Sequence, residues 1–365
     1  MILHIYFARR FAGTFLLVLG VFLGILILID LVDQVRRFED DAVGFVMLIG
    51  LTLLSVPRTL YSILPLITII ATLTLFLSLA RTSELVVSRA SGRSAILSLL
   101  GPLVVTFLIG TIAVAALNPI AAGTARQYDR LSDRLQGVSG PALSMGREGV
   151  WLRQADVTGQ TVIHAARASS DVTTLYEATF INFSPEGDPE RRIVAETATL
   201  AAGQWELKNA KIWELTLGQN PEASAREVAQ LDLPSALTQD RIIDSFGKPE
   251  YISLWDLPGF INQLEEAGFS ARRYAVWFQM ELSRPLFLVA LVMVAAAFTM
   301  RHARLSNTGI SVLIAVMLGF TLHYIRNFAQ ILGENGQIPV YLAAWAPPVA
   351  SFMLAAGILL HMEDG

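Results

Sequence analysis

The residues best suited to do work in this sequence are charged ones set among long apolar runs. Residues 81–94, RTSELVVSRASGRS, form a short charged island between two such runs. Its interior, residues 83–90, fits a helix with Leu85, Val86 and Val87 on one side and Glu84, Ser88 and Arg89 on the other side or at its edges. Ser91 and Gly92 then supply a residue suited to a helix C-terminus. A short amphipathic helix joining two membrane spans on the cytoplasmic side is what a permease needs to dock a motor subunit. An ordinary Arg-rich cytoplasmic loop has the same composition. A second set is basic and lies at the ends of apolar runs: Arg36 and Arg37, then Arg126, Arg130 and Arg134 at helical spacing, then His323 and Arg326. Guanidinium pairs bidentately with phosphate, so a ring of these residues could hold a phosphorylated lipid head group. Interfacial snorkelling, with pairing such as Arg37 to Asp40 or Asp41, would use the same residues. Glu281 and Arg284, three apart, pair on one helix face. Gly20 and Gly24 form a GxxxG that allows close helix approach.

Nothing in the chain points to catalysis. No GxxxxGK[ST] occurs, and Gly247-Lys248-Pro249 lacks both the upstream glycine and the Ser or Thr. The five histidines are scattered, no GxSxG appears, and the absence of cysteine excludes disulfides, thiolate metal sites and a cysteine nucleophile. The chain reads as a non-enzyme with no catalytic residue, metal or cofactor of its own.

The elements that must position these residues follow from composition. The chain is 53% hydrophobic and 16% charged, against roughly 25% charged for a soluble domain, so it is a membrane protein. A net charge of −4 gives no basic surface for nucleic acid. A span takes about 20 apolar residues, and six runs qualify: residues 11–32, 59–80, 95–117, 274–300, 305–325 and 338–360. The first is too long for a signal-peptide core and reads as a retained span. Between the third and fourth runs lies a long polar stretch. Its short alternating strands, with turns such as Thr158-Gly159, suggest a sandwich, a jelly roll or a related sheet. The expected organisation is three helices (residues 1–117), a β insert (118–270) and three helices (271–365). Residues 121–135 are expected to extend the third span outward. Six spans put both termini on one side. Arg9, Arg10, Arg81, Arg89, Arg93, Arg301 and Arg304 mark that side as cytoplasmic and the insert as extracytoplasmic.

Several strings, in this layout, resemble the LptF/LptG (YjgP/YjgQ) permeases of the lipopolysaccharide exporter. They are DLVDQVRR after the first span, LLSVPRTLYSILPL at the second, SELVVSRASG in the island, NPIAAGTARQYDR after the third and GVWLR opening the β insert. The resemblance covers essentially the whole chain, and SELVVxxASG with the VDQ string favours the LptG branch. It implies an α-helical inner-membrane protein of Gram-negative bacteria, with a periplasmic jelly-roll-like domain and both termini cytoplasmic. It implies partners too: an LptF-like permease, an LptB-like ATPase dimer that binds the ATP, and an LptC-like bitopic protein. Lipopolysaccharide would be the cargo. Glu84, Leu85, Val86 and Arg89 would then couple to the ATPase. Arg36, Arg37, Arg126, Arg130 and Arg326 would meet lipid phosphates, and Gly20 and Gly24 would serve a gate helix. The chain departs from the family pattern in three places. Asp30 stands where a basic residue can occur, Arg130 is one position displaced, and Arg326 stands where an acidic residue can occur. A lipoprotein-release permease carries its large domain after the first span, not the third. A membrane-anchored β-domain scaffold would need no charged helix in one fixed loop.

Overall fold

The computed structural model describes residues 2–38, 43–82, 84, 94–135, 143–146, 149–156, 159–169, 173–185, 187–201, 203–215, 220–235, 248–266, 269–300 and 308–364. The chain divides into a helical unit of residues 1–137, 250–257 and 272–365 and a second unit of residues 138–249 and 258–271. The helices are α1 (Ile2–Arg37), α2 (Phe45–Ser62), α3 (Leu64–Arg81) and α4 (Ala95–Ile112), which runs through a π-helical turn (Ala113–Leu117) into α5 (Asn118–Leu135). Then come α6 (Leu257–Glu266), mostly in the second unit, α7 (Arg272–Thr299), α8 (Thr308–Glu334) and α9 (Val340–Asp364).

Among the described residues, seven helical stretches are long and apolar enough to cross a membrane, one more than the six runs in the sequence. The difference lies at the second run, which the structure divides at Ile63 and extends back to Phe45. Leu48 and Leu51 of α2 pack with Phe38 and Leu31 at the end of α1, while Glu84, just past α3, bonds Tyr6 and Arg10 near the start of α1. α2 and α3 therefore run antiparallel to α1 as one path with a break. Ile63 sits at φ −90°, ψ 3°, two residues before Pro65, which has no N–H to offer and so takes its place in the first turn of a new helix. α1 has 36 residues, ~54 Å at the helical rise, against a hydrocarbon core of about 30 Å. Its end projects beyond the apolar layer and shares a small core with α2 and α5, built on Phe38, Leu48 and Leu51 with Tyr128 and Leu131.

α7 is the central helix. Every residue from Phe287 to Ala297 is buried, and it packs against α3, α4, α8 and α9. In lipid there is little hydrophobic gain from bringing apolar helices together, so contact depends on van der Waals packing at small residues. A Cβ on Gly110 would stand 2.8 Å from Cα of Pro285, and one on Gly333 would stand 2.6 Å from Cβ of Ala343. Gly101 similarly lies against the backbone of α1 at His4. Gly20 and Gly24 are not used this way: both are exposed, and a Cβ on either meets nothing within 4 Å.

The second unit carries a seven-stranded antiparallel sheet in sequence order: β1 (Leu143–Gly146), β2 (Gly149–Asp156), β3 (Gly159–Ala168), β4 (Thr174–Phe183), β5 (Pro189–Ala201), β6 (Gln204–Glu214) and β7 (Arg226–Pro234). Cross-strand ranks Ile163–Phe180–Ile193–Ile212 and Ala165–Ala178–Ala195–Ala210 form one buried face. On β4, β5 and β6 the buried positions then step by three, to Leu175, Ala198 and Leu207. Glu177 and Asn209, both at positive φ, mark this aligned bulge. Gln154 of β2 reaches the Pro234 carbonyl at 3.3 Å and accepts from Ser235 at 2.9 Å. The sheet therefore curls until its early and late strands approach.

Gly110→Ala is expected to lower the melting temperature of the purified protein in detergent, because overpacking typically costs about 1–3 kcal/mol. Gly20→Ala, measured the same way, leaves it unchanged.

Candidate functional site

A cavity of about 600 Å³ lies in the helical unit beside the α2–α3 break. The break builds its floor. The Tyr61 carbonyl would normally accept from the N–H of residue 65, which is proline, so it is left without a helical partner. Arg284 of α7 supplies the donor, with Nη1 3.3 Å from that oxygen and its guanidinium 4.1 Å from the Tyr61 ring centroid. Its Nη2 is 2.5 Å from Glu281 Oε1, and the Tyr61 hydroxyl donates to Glu281 Oε2. Arg326 of α8 donates to the Met280 carbonyl at 3.0 Å and lies over the Phe287 ring. Glu281 is 0% exposed and both arginines are 5% exposed, so one buried carboxylate serves two buried guanidiniums. Such charges are tolerated only when paired and hydrogen-bonded.

The pairing is incomplete. Arg284 Nε, Arg326 Nε, Trp277 Nε1 and His323 Nδ1 are buried without a hydrogen-bond partner, and all four residues line the cavity. Three are obligate N–H donors. Together with the surplus guanidinium they present N–H donors and positive charge, the chemistry that an oxygen-rich anion would satisfy.

A second group lies at the same cavity. Arg58 pairs with Glu250 and donates to the Tyr251 hydroxyl at 2.9 Å. Burial is the main cause that raises the pKa of that hydroxyl, with the Asp129 carboxylate adding to it, so the hydroxyl keeps its proton. This segment is anchored by the Leu254 N–H on Asn118 Oδ1 (2.9 Å) and by Trp255 Nε1 on the Ala115 carbonyl (3.0 Å). Ala115 lies in the π turn, where the regular helical ladder is displaced.

The whole length of this arrangement belongs to a known family. Residues 5–361 match the model of the lipopolysaccharide export system permease LptF/LptG. The chain is a member of the LptF/LptG family. It is 22% identical over 372 residues to the lipopolysaccharide export system permease protein LptG of Escherichia coli strain K12, covering 99% of this chain and 98% of that one. The LptG of Haemophilus influenzae is 21% identical over 369 residues, with 98% of each chain covered.

Of the basic residues singled out in this LptF/LptG-family sequence, Arg326 lines the cavity. Arg36, Arg37, Arg126 and Arg130 are exposed outside it. Arg37 donates to the Tyr128 hydroxyl at 3.1 Å, joining α1 to α5. Glu281 and Arg284 pair as their spacing suggests. Far from the cavity, both Glu84 oxygens accept from Arg10 Nη1, at 2.6 and 2.7 Å, and the Tyr6 hydroxyl and Thr82 Oγ1 also donate, at 2.8 and 2.9 Å. The Arg10 bond leads the causes that hold the Glu84 carboxyl below its ordinary range. Leu85, Val86 and Arg89 lie outside the described residues. Arg58 and Trp277 were not anticipated. The signal for Arg58 was present: the apolar stretch FVMLIGLTLL before it continues the second run, and a cation inside a span is unusual.

Glu281→Leu leaves two buried guanidiniums uncompensated, and breaking a buried pair costs roughly 3–5 kcal/mol. Its unfolding midpoint should fall sharply, whereas Glu281→Leu/Arg284→Leu should recover part of the loss. Equal or additive losses would count against the cluster acting as a unit.

Proposed function

We propose that this chain is one permease half of an ATP-driven exporter that lifts lipopolysaccharide from the inner membrane of a Gram-negative bacterium. The full-length match to the LptF/LptG family and to the LptG proteins of E. coli and H. influenzae carries this reading. An LptF-like permease completes the pathway, an LptB-like ATPase dimer binds the ATP, and an LptC-like protein receives the lipid on the β unit's side. The chain itself is neither an enzyme nor a cofactor carrier. The Arg10–Glu84 end faces the cytoplasm and the β unit faces the periplasm, in keeping with the arginines of the short loops.

Within that reading, lipid A phosphate enters the cavity and meets Arg326, Arg284 and Trp277. Arg36, Arg37, Arg126 and Arg130 form an outer basic approach that raises the local concentration of an anionic head group. Four unsatisfied polar atoms around one cavity support this assignment. At the cytoplasmic end Glu84 contacts the ATPase, flanked by Leu85, Val86 and Arg89. Glu84 is tied to α1 through Arg10, so displacement of this loop by ATPase closure bears directly on the helix whose far end carries Asp30. A two-state element biased by nucleotide is what such coupling requires. The exposed faces of α1 at Gly20 and Gly24 and of α8 are left for a second chain.

The test is a pull-down of the tagged chain from membranes. The wild type is expected to recover an ATPase and a second permease, and Glu84→Ala to recover the second permease alone. Recovery of no ATPase with the wild type would contradict the transporter reading. The depressed Glu84 carboxyl is ionised above its ordinary value of 4.5, so its contact contributes fully at neutral pH. That contribution is lost only as pH falls through the folded-state value, and ATPase recovery should be insensitive to pH between about 6 and 8 on its account.

A further inference from the structure

The buried face of the β unit ends in a rank of polar side chains. The strand register sets Gln154, Thr161, Asn182, Arg191 and Glu214 side by side across β2 to β6. Each lies two residues from a member of the apolar rank Leu152–Ile163–Phe180–Ile193–Ile212, so all five share the face of that core. Their burial agrees: all five are buried or half-buried, while Arg153 and Arg192, one residue along, are exposed. The rank lines a cavity of about 440 Å³, which the buried Phe180 and Leu233 also line. Part of the rank is spent on the fold. Gln154 bonds the Pro234 carbonyl and Ser235, and Thr161 Oγ1 accepts from Asn182 Nδ2 at 3.1 Å. The remainder is idle. Asn182 Oδ1 is buried with no hydrogen-bond partner. Glu214 has a loose ion pair with Arg226 at 3.6 Å, and among the described residues none with Arg191, which stands opposite it on β5.

We infer that this cavity is a saccharide site of the β unit and takes part of the sugar chain of the cargo. The source of that sugar rests on the exporter reading given above. Charge decides against an anion: the wall carries one guanidinium, Arg191, and two carboxylates, Glu190 and Glu214. Unlike the cavity at Arg326, it has no positive charge to spare. A sugar hydroxyl both donates and accepts, which is what this mixed set of groups requires. One hydroxyl gives its proton to the idle Asn182 Oδ1 and accepts from the Arg191 guanidinium, and Glu214 accepts from another. The C–H face of the ring then rests on Phe180 and Leu233. The volume lies within the range of about 300–1,000 Å³ typical of small-molecule sites. A peptide adding itself as a strand has no place along this rank, because β2 to β6 are each paired on both sides. A buried acceptor left without a donor is costly, and the neighbouring ranks of this face are apolar throughout. The polar rank therefore marks the one part of the face built to meet hydroxyl groups.

The experiment titrates the purified full chain with a fluorescent core oligosaccharide prepared from lipopolysaccharide and freed of acyl chains and phosphates. The wild type is expected to bind it saturably and to melt at a higher temperature in its presence. Asn182→Leu and Arg191→Met should each weaken binding roughly 10-fold, the effect of removing one partner from a buried hydrogen bond. Arg192→Met, on the opposite face of the same strand, should leave it unchanged. No saturable binding by the wild type, or equal affinity in the wild type and Arg191→Met, would overturn the inference. Arg191 is half-buried at the end of the core, so Arg191→Met decides the question even where Asn182→Leu folds poorly. Failure of the exporter reading is told apart by the pull-down. Recovery of an ATPase without oligosaccharide binding sinks the saccharide site alone, whereas binding without an ATPase leaves the site standing and sinks the exporter.

Discussion

A carboxylate with no exposure sits beside two nearly buried guanidiniums in the middle of an apolar helical unit, and much of the architecture exists to make that arrangement tolerable. Each charge is answered by a feature with its own cause in the sequence. Pro65 frees the Tyr61 carbonyl for Arg284, and the same helix break brings the Tyr61 hydroxyl to Glu281. Arg326 finds the Met280 carbonyl. What is left over, several N–H groups and one positive charge, faces a cavity instead of packed side chains. A cluster retained for stability alone would be expected to finish its hydrogen bonds, since well-packed apolar residues are often at least as stabilising as a buried ion pair. An unfinished cluster at a cavity is the usual sign of a ligand site.

The second constraint is length. α1 runs from the Arg10–Glu84 contact to Asp30 and Arg37 as one uninterrupted helix. It carries both the attachment to the loop where a motor would act and one wall of the cavity. A helix is stiff along its axis, so a displacement at one end is felt at the other. α7 provides the opposing fixed part: it is buried throughout from Phe287 to Ala297 and held by the close approach of Gly110 to Pro285. Its neighbour α8 is steadied where Arg272 donates to the carbonyls of Gly333 and Ile338, at 2.6 and 2.5 Å. Motion of a long outer helix against a packed central one follows naturally from this division.

Much of this was legible in the sequence, because apolar runs and alternating strands are strong signals. The helices, the β insert and the Glu281–Arg284 pair all follow from spacing. The α2–α3 division was less legible. Pro65 was visible, but its effect depends on Arg284, more than two hundred residues away, being there to rescue a carbonyl. Within this chain the glycines at close helix contacts are Gly101, Gly110, Gly319 and Gly333, not Gly20 and Gly24 of the GxxxG. A small residue permits close approach but does not say which helix will approach. Trp277 was missed for a similar reason: cavities are made by elements distant in sequence, and no local pattern announces it, whereas Arg58 stood out as a cation inside an apolar run.

The most direct measurement is a cryo-electron microscopy map of the permease complex with lipopolysaccharide bound. The account predicts phosphate density within hydrogen-bonding distance of Arg326 Nε and Trp277 Nε1. Phosphates held only by Arg36 and Arg37, with the cavity empty and Arg326 still bare, would contradict it.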